Sequence, residues 1–164
     1  MIILGIDPGV ARLGYALIKT DLKNQISIID SGCLETSQKQ DFPKRLLFLY
    51  QELKEIIKKH HPEKAAIEDI YFAKNVKTVI KVSEARGVAL LVCAENGLEI
   101  IEFTPLQIKQ ALTGYGRANK EQIQKMVQIT LKLKEIPKPD DVADALAIAL
   151  TCAQTKNWFC LKNR

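Results

Sequence analysis

The sequence predicts an α/β domain, and its element order and its size support that prediction. Strand-like segments fill the first part of the chain, helices and strands alternate after them, and 47% of the 164 residues are hydrophobic. Strands followed by helix–strand alternation are typical of an α/β domain. A chain of this length can bury a full core as one unit. We therefore predict one domain over residues 1–164, with a flexible tail after about residue 158.

Three predicted strands form a meander at the start of the chain. Ile2 to Ile6 is a continuous apolar run stopped by Asp7-Pro8-Gly9, a pattern typical of a buried central strand that ends in a tight turn. Gly14 to Ile18 and Ile26 to Leu34 are further strand-like segments, and polar residues 20–24 separate them.

Helices and strands alternate through the rest of the chain. Apolar residues at helical spacing predict a first helix, and we interpret His60-His61 at its basic end as solvated. A buried strand over Ala65 to Ile67 leads into Glu68, residues 76–95 predict a long helix, and Glu99 to Thr104 predicts a fifth strand. The remaining predicted helices are Pro105 to Leu112, Lys120 to Leu133 and Asp141 to Gln154.

The charge of the chain permits a polyanionic partner without requiring one. The formal net charge is +5, and many basic proteins bind nothing acidic. Between Pro105 and Lys134, however, six basic residues stand against one acid, Glu121. That asymmetry favours a phosphate-binding face. A solvated charged surface around two amphipathic helices explains the composition about equally well.

The cysteines and the apolar segments predict a cytoplasmic protein. The four cysteines at positions 33, 93, 152 and 160 are widely spaced and lack metal-ligand spacing, so we interpret them as reduced thiols. The run Met1 to Gly5 has no basic leader and is soon followed by an acid, so we expect no signal peptide. We also expect no membrane association, because no apolar stretch is long enough to span a bilayer.

Four carboxylates fall at the ends of predicted elements: Asp7, Glu68, Asp141 and Asp144. Functional sites gather at strand ends, and helix positions three apart, such as 141 and 144, share one face. Glu68 is poorly placed after a buried strand unless something compensates its charge. Asp7 and Asp141 also have ordinary structural explanations, as a turn residue and as a complement to the helix dipole.

Convergence of these four acids would call for a cation, because their repulsion would raise their pKa values and destabilise the fold. Carboxylate oxygens suit Mg²⁺ or Mn²⁺. Two such ions about 3.5 to 4 Å apart activate a water for attack on phosphorus and stabilise the departing oxygen. No histidine base is then required.

Several motifs in their order resemble the RuvC Holliday junction resolvases of bacteria, and the match runs through nearly the whole chain. Each motif alone is weak evidence, whereas the ordered set is specific. The motifs are Gly5-Ile6-Asp7-Pro8-Gly9, Gly14-Tyr15, Ser31-Gly32-Cys33, Ala66-Ile67-Glu68, Ala73-Lys74-Asn75, Ala85-Arg86-Gly87-Val88-Ala89, Gly114-Tyr115-Gly116 and Ala143-Asp144-Ala145-Leu146-Ala147.

The resemblance implies a ribonuclease H-like fold, a five-stranded mixed sheet flanked by helices, and a homodimer that makes paired symmetric nicks in four-way junction DNA. It implies two Mg²⁺ ions per active site, with Mn²⁺ able to substitute, and a RuvA-RuvB branch-migration complex as partner. The catalytic and metal-binding acids map onto Asp7, Glu68, Asp141 and Asp144. Asp141 is chosen over Asp140 because it keeps the three-residue spacing to Asp144.

The resemblance also implies DNA-binding residues. Lys109 and Lys120 match the family's lysines, and a lysine at the start of a helix, as at position 120, has little local structural reason. Tyr71 occupies the position of an aromatic residue that intrudes at the junction centre, and an aromatic side chain near a base and a phosphate can stack. Lys74 and Arg117 are further candidates for DNA contact.

The helix from Val76 is where the resemblance places the dimer interface. Gly87 inside this helix costs about 1 kcal/mol of helix propensity. Close approach of a second subunit would explain that cost, and ordinary packing on the sheet explains it nearly as well.

Three other functions are compatible with some of these residues. A related RNA-processing nuclease would share the acid after the first strand, but the Tyr71 segment and the Asp141/Asp144 pair favour the resolvase. A non-catalytic junction-binding module would not retain four acids, because carboxylates along the path of a polyanion weaken binding unless a metal uses them. An actin-like ATPase would need two lobes and a second phosphate loop, for which the chain has no room.

Overall fold

The computed structural model describes residues 1–21, 23, 25–69 and 76–155, with side chains described for all of these except 76–78. That part of the chain forms five strands and five helices. The strands are β1 (Ile2–Asp7), β2 (Arg12–Thr20), β3 (Ile26–Glu35), β4 (Lys64–Glu68) and β5 (Glu99–Phe103). The helices are α1 (Phe42–His60), α2 (Val76–Glu95), α3 (Pro105–Thr113), α4 (Lys120–Thr130) and α5 (Asp140–Gln154).

The strands form one mixed sheet in the order β3-β2-β1-β4-β5. β2 pairs antiparallel with both β1 and β3, as the predicted meander requires. β4 pairs parallel with β1 and with β5. The predicted five-stranded mixed sheet is therefore confirmed, with β1 at its centre.

Helices cover both faces of the sheet. Successive side chains of the central strands point to opposite faces and therefore enter two different cores. Ile3 belongs to the core under α3, α4 and α5, which we call the α5 face of the sheet. Leu4 and Ile6 belong to the core under α1 and α2. A strand buried on both sides reads as a continuous apolar run, which is why the sequence of β1 predicts a central strand.

Helix α5 lies unusually close to β1 and β2, and two glycines allow that approach. A Cβ atom on Gly5 would fall 2.2 Å from the backbone oxygen of Ala145, and one on Gly14 would fall 2.0 Å from the backbone oxygen of Asp141. Neither strand could carry a side chain at these positions without displacing the helix. These glycines therefore set how near the start of α5 lies to the end of β1.

Most helix bounds agree with the sequence prediction, and α2 agrees at both ends. The prediction for α4 was wrong at its C-terminus, because the helix ends at Thr130 and not at Leu133. Lys132 has a positive φ of 54°, which a right-handed helix cannot accommodate. The helix of α5 begins at Asp140, one residue earlier than predicted.

The prediction that His60 forms a solvated helix end was also wrong. Its side chain is only 12% exposed, and its Nε2 atom lies 3.0 Å from Asp30 Oδ2 on β3. His61 instead ends the helix, with a left-handed φ of 49°. His60 therefore joins α1 to the edge strand β3, whereas His61 is exposed.

Within the described ranges, no helix has the length and apolar character needed to cross a membrane.

Candidate active site

Asp7 and Glu68 lie side by side at the end of the sheet where β1 and β4 terminate. Ile6 of β1 pairs with Ile67 of β4 in parallel register, so the residues that follow them, Asp7 and Glu68, are neighbours. The two-residue period of a strand places Asp7 on the same face as Gly5, which lies against α5. The same period places Glu68 with the buried α5-face residues of β4. Both acids therefore project toward α5.

The two helix acids approach the same end of the sheet from α5. The backbone of Asp141 lies directly over Gly14, and Gly14 pairs with Asp7 across β1 and β2. Asp144 follows one turn later, on the same side of the helix, and lines a cleft together with Glu68. The structure thus brings together the four acids that the sequence singled out.

Burial and mutual repulsion both perturb these acids. Burial, followed by the charges of Glu68, Asp144 and Asp141, raises the pKa of Asp7 from 3.8 to about 7. Burial and the charge of Asp144 raise the pKa of Glu68 to about 7, against the opposing effect of Lys109 and Lys120. Burial also raises the pKa of Asp144. The predicted repulsion between converging carboxylates is therefore present in the structure.

Two basic side chains partly compensate the helix acids. Lys120 Nζ lies 3.1 Å from Asp144 Oδ2 and 3.2 Å from Asp140 Oδ2. Arg12 Nε lies 3.3 Å from Asp141 Oδ2, but not with hydrogen-bond geometry. That Asp141 oxygen is buried and has no hydrogen-bond partner among the described residues. Negative charge at this site is thus left without full compensation.

The donor set fits a hard divalent cation, although the side chains are not arranged around one. Within the described residues, no three His, Cys, Asp or Glu side chains are grouped closely enough to hold a metal ion as they stand. Two of the acids face Lys120 and Arg12 instead. These contacts leave one Asp141 oxygen without a hydrogen-bond partner, and the pKa of Asp7 remains raised in their presence. Mg²⁺ and Mn²⁺ prefer such carboxylate oxygens.

A cleft of about 190 Å³ opens beside the acids. Its polar lining combines Glu68 and Asp144 with Lys109 and Lys120, so negative and positive groups stand at one opening. The rest of its lining is mostly apolar and consists of Pro105, Ile108, Ile123, Ala147 and Ile148. Arg117 is exposed at the turn before α4 and does not line this cleft. Tyr71 and Lys74 lie outside the described residues.

Sequence reasoning missed two basic residues at the site. Arg12 begins β2 and contacts Asp141, and the pairing of Asp7 with Gly14 is the signal that could have placed it nearby. Arg86 of α2 donates from Nε to the backbone oxygen of Glu68 at 3.3 Å. The available signal was an arginine directly after the buried Ala85, in a helix that also carries Lys81 and Glu84.

The sheet order, the helices on both faces and the acidic edge define a protein of the ribonuclease H-like class, with the site of a nuclease. The family model described as crossover junction endodeoxyribonuclease RuvC matches residues 3–152. A RuvC of Caldicellulosiruptor saccharolyticus is 55% identical over 150 residues, which are 92% of this chain and 90% of that protein. The chain therefore belongs to the RuvC family of crossover junction endodeoxyribonucleases.

Solved structures agree with that assignment. The Thermus thermophilus RuvC structure superposes with a TM-score of 0.89 at 34% identity, covering 97% of each chain. A structure of T. thermophilus RuvC in complex with a Holliday junction substrate gives a TM-score of 0.87 at 31% identity, covering 96% of each chain. The similarity thus extends over the whole length of both proteins and confirms the predicted ribonuclease H-like fold.

Proposed function

We propose that this chain is a single-domain endonuclease over residues 1–164 that resolves four-way DNA junctions by paired symmetric nicks. The observation that carries the proposal is the convergence of four acids beside Lys109 and Lys120. Carboxylates next to phosphate-binding lysines serve no purpose in a pure DNA-binding surface. Family membership identifies the substrate class, because a close structural match was solved with a Holliday junction.

Asp7, Glu68, Asp141 and Asp144 would hold two Mg²⁺ ions, with Mn²⁺ able to substitute. When bound, such ions supply an activated water and stabilise the leaving oxygen of a phosphodiester. The protein's own contribution is to fix two acids on strand ends and two on a helix that glycines hold against the sheet. Burial and the charges of the other three acids raise the pKa of Asp7, and a bound cation would oppose both effects.

Lys120 would change partners when DNA binds. Its amino group contacts Asp140 and Asp144. A metal ion would replace Lys120 as the partner of Asp144, and water would replace it at the exposed Asp140. Lys120 is half exposed at the mouth of the cleft, where a phosphate oxygen can replace a carboxylate oxygen. Lys109 lines the same cleft. We assign both lysines to phosphate contact.

The remaining DNA contacts are proposed from family resemblance. Tyr71 would stack on a base at the centre of the junction, and Lys74 would contact a nearby phosphate. Arg117 is exposed on the turn that leads into α4, within reach of a backbone that crosses Lys120. Tyr71→Ala should slow cleavage of a four-way junction with only modestly weaker binding. Unchanged cleavage would contradict the stacking role.

The exposed face of α2 supports a homodimer. Ile80 and Leu91 are 54% and 61% exposed, and they flank Gly87 at helical spacing. A Cβ atom on Gly87 would meet nothing within 4 Å, so packing within the described part of the chain does not explain this glycine. A second subunit on this face would bury the two apolar side chains and use the close approach that glycine allows.

The dimer proposal predicts that Leu91→Glu yields a monomer. Ile129→Glu is the matched control, because Ile129 is 58% exposed on α4, away from α2. Sedimentation at several protein concentrations would measure the mass of both variants. A dimeric Leu91→Glu protein, or a monomeric wild type, would contradict the interface.

Partner and location follow from the proposed activity. We propose that a RuvA-RuvB branch-migration complex delivers the junction and that the enzyme acts in the cytoplasm. Three free thiols, at Cys33, Cys93 and Cys152, suit a reducing compartment. Co-sedimentation of the chain with a junction carrying RuvA and RuvB would test the partnership, with junction alone as the control.

The first experiment is cleavage of a synthetic four-way DNA junction beside a linear duplex of the same sequence. We expect paired symmetric nicks in the junction only, dependent on Mg²⁺ and lost when a chelator is added. Binding without cutting under several metals would contradict the nuclease and favour a junction-binding module. Cutting of structured RNA in preference to the junction would favour an RNA-processing enzyme.

A further inference from the structure

Arg86 joins three elements at the edge of the sheet where Glu68 lies. Its Nε atom donates to the backbone oxygen of Glu68 at 3.3 Å. Its guanidinium also pairs with Asp69, at 3.3 Å, and with Glu102 near the end of β5. One side chain of α2 thus contacts the last residue of β4, the residue after it, and the neighbouring strand. We call these contacts the Arg86 clamp.

Arg86 is largely buried, but its partner carboxylates are not. The Arg86 side chain is only 18% exposed, whereas Asp69 and Glu102 are 43% and 46% exposed. Their ion pairs with Arg86 are therefore only partly shielded from water and salt. A planar guanidinium can also donate to several acceptors in fixed directions, which a lysine cannot do.

The clamp adds to the backbone hydrogen bond that already holds the end of β4. The strand ends at Glu68, and Asp69 N–H donates to the backbone oxygen of Phe103 at 2.8 Å. Arg86 adds the only described side-chain contact to the Glu68 backbone oxygen. The carboxylate of Glu68 lines the cleft beside α5. A backbone held in place limits how far that carboxylate can turn away.

We propose that Arg86 is a positioning residue that fixes the Glu68 carboxylate for divalent-cation binding through the Glu68 backbone. This inference rests on the proposed function, since it takes Glu68 as a metal ligand. Arg86 itself contacts neither metal nor DNA in this role. Residues that orient metal ligands typically affect metal affinity by roughly 10-fold to 100-fold when removed.

The test measures Mn²⁺ binding by electron paramagnetic resonance of free Mn²⁺, with no DNA present. Arg86→Met should weaken Mn²⁺ binding by roughly 10-fold to 100-fold, and Arg86→Lys should fall between it and the wild type. Circular dichroism and thermal unfolding establish that each variant is folded. If Arg86→Met does not fold, Arg86→Lys carries the test, because it keeps the charge and loses only the planar donor geometry.

The matched control is Glu99→Gln. Glu99 also lies on β5 and forms an ion pair with Lys64 of β4 at 2.9 Å, but at the opposite end of the same two strands. Its loss should leave Mn²⁺ affinity unchanged, whereas an effect equal to that of Arg86→Met would reduce the clamp to general strand stability and overturn the inference.

Cleavage of the four-way junction against Mg²⁺ concentration gives a second measurement. In Arg86→Met the Mg²⁺ midpoint should rise, and the maximal rate should partly recover at high Mg²⁺. A folded Arg86 variant with wild-type Mn²⁺ affinity and Mg²⁺ midpoint would overturn the inference and leave the nuclease proposal intact. A wild-type protein that binds no Mn²⁺ would instead contradict the metal site itself, and the inference with it.

Discussion

The acids on the strands and the acids on the helix meet at one site but are held in different ways. Asp7 and Glu68 sit on strand ends, and both have a pKa raised to about 7. Asp141 and Asp144 sit on α5, and each lies within 3.3 Å of a basic side chain. Lys120 and Lys109 act on the strand acids only through longer-range charge interactions, whereas Arg12 and Lys120 contact the helix acids directly.

That difference assigns the two pairs distinct tasks. Acids fixed by a sheet and without a direct ion pair would gain most from a metal ion, because binding would remove both the desolvation penalty and the repulsion. Acids that already contact basic side chains would exchange those contacts, and in our proposal Lys120 then contacts a phosphate. Substitutions in each pair test this division of roles.

Replacing a strand acid should have the largest effect on catalysis. Asp7→Asn should lower the cleavage rate by on the order of 10³-fold, equivalent to about 4 kcal/mol of transition-state stabilisation. Junction binding should be unchanged or tighter, because one negative charge near the phosphates is removed. Rates on a four-way junction and gel-shift affinities measure both effects. Loss of cleavage and binding together would indicate misfolding and contradict the assigned role.

The raised pKa values predict a pH effect on stability without metal. Because the pKa of Asp7 is raised from 3.8 to about 7, the folded protein keeps a proton that the unfolded chain releases between these values. This contribution to stability is complete below about pH 4 and is lost as the pH rises through about 7.

Thermal unfolding in chelator measures that effect. The Tm of the wild type should fall more steeply between pH 5 and 8 than the Tm of Asp7→Asn, so the variant should be the more stable protein at pH 8. Added Mg²⁺ should flatten the wild-type curve, because it stabilises the ionised acids. Parallel curves of Tm against pH for the two proteins would show that ionisation of Asp7 does not destabilise the fold.

Removing the charge of Lys120, which contacts the helix acid Asp144, should have an intermediate effect on junction binding. Lys120→Met should weaken junction binding and reduce the slope of log Kd against log salt by about one phosphate contact. Lys125→Met on the same helix is the matched control, since Lys125 Nζ contacts Gln128 at 2.9 Å and lines no described cleft. Equal salt slopes for wild type and Lys120→Met would exclude phosphate contact by Lys120.

The smallest effect should come from the extra acid beside the helix pair. Asp140→Asn removes an exposed contact to Lys120 at 3.2 Å, and exposed ion pairs contribute little. We expect cleavage of the junction to change by about threefold or less. A loss as large as that of Asp7→Asn would mean that Asp140, and not Asp141, is the catalytic acid of this pair.

The sequence predicted the acids because each carries a local signal. Asp7 and Glu68 follow apolar runs whose length and composition mark buried strands, and Asp141 and Asp144 keep the spacing of one helix face. Resemblance to a family added the order of motifs, which local patterns alone do not rank. The structure then confirmed the mixed sheet, in which burial and the charges of Glu68, Asp144 and Asp141 raise the pKa of Asp7.

The prediction for His60 was wrong because a contact distant in sequence is decisive there, whereas α4 ends in a local turn. The basic residues around His60 are typical of a solvated helix end, but Asp30 of β3 contacts the His60 side chain. The amphipathic sequence pattern of α4 continues past Thr130, yet the helix ends there and the chain turns at Lys132 with a positive φ. Helical periodicity describes one segment at a time and contains no information about which neighbour interrupts it.

The sequence by itself determined the class of fold, and it singled out the four acids and the lysines that our proposal places on DNA. Only the tertiary structure decided that Arg12 contacts Asp141, that Lys120 contacts Asp144, and that Arg86 holds the end of β4. The physical reason is that strand and helix periods are set by neighbouring residues. Ion pairs between elements instead depend on sheet register and on how closely α5 lies against two glycines.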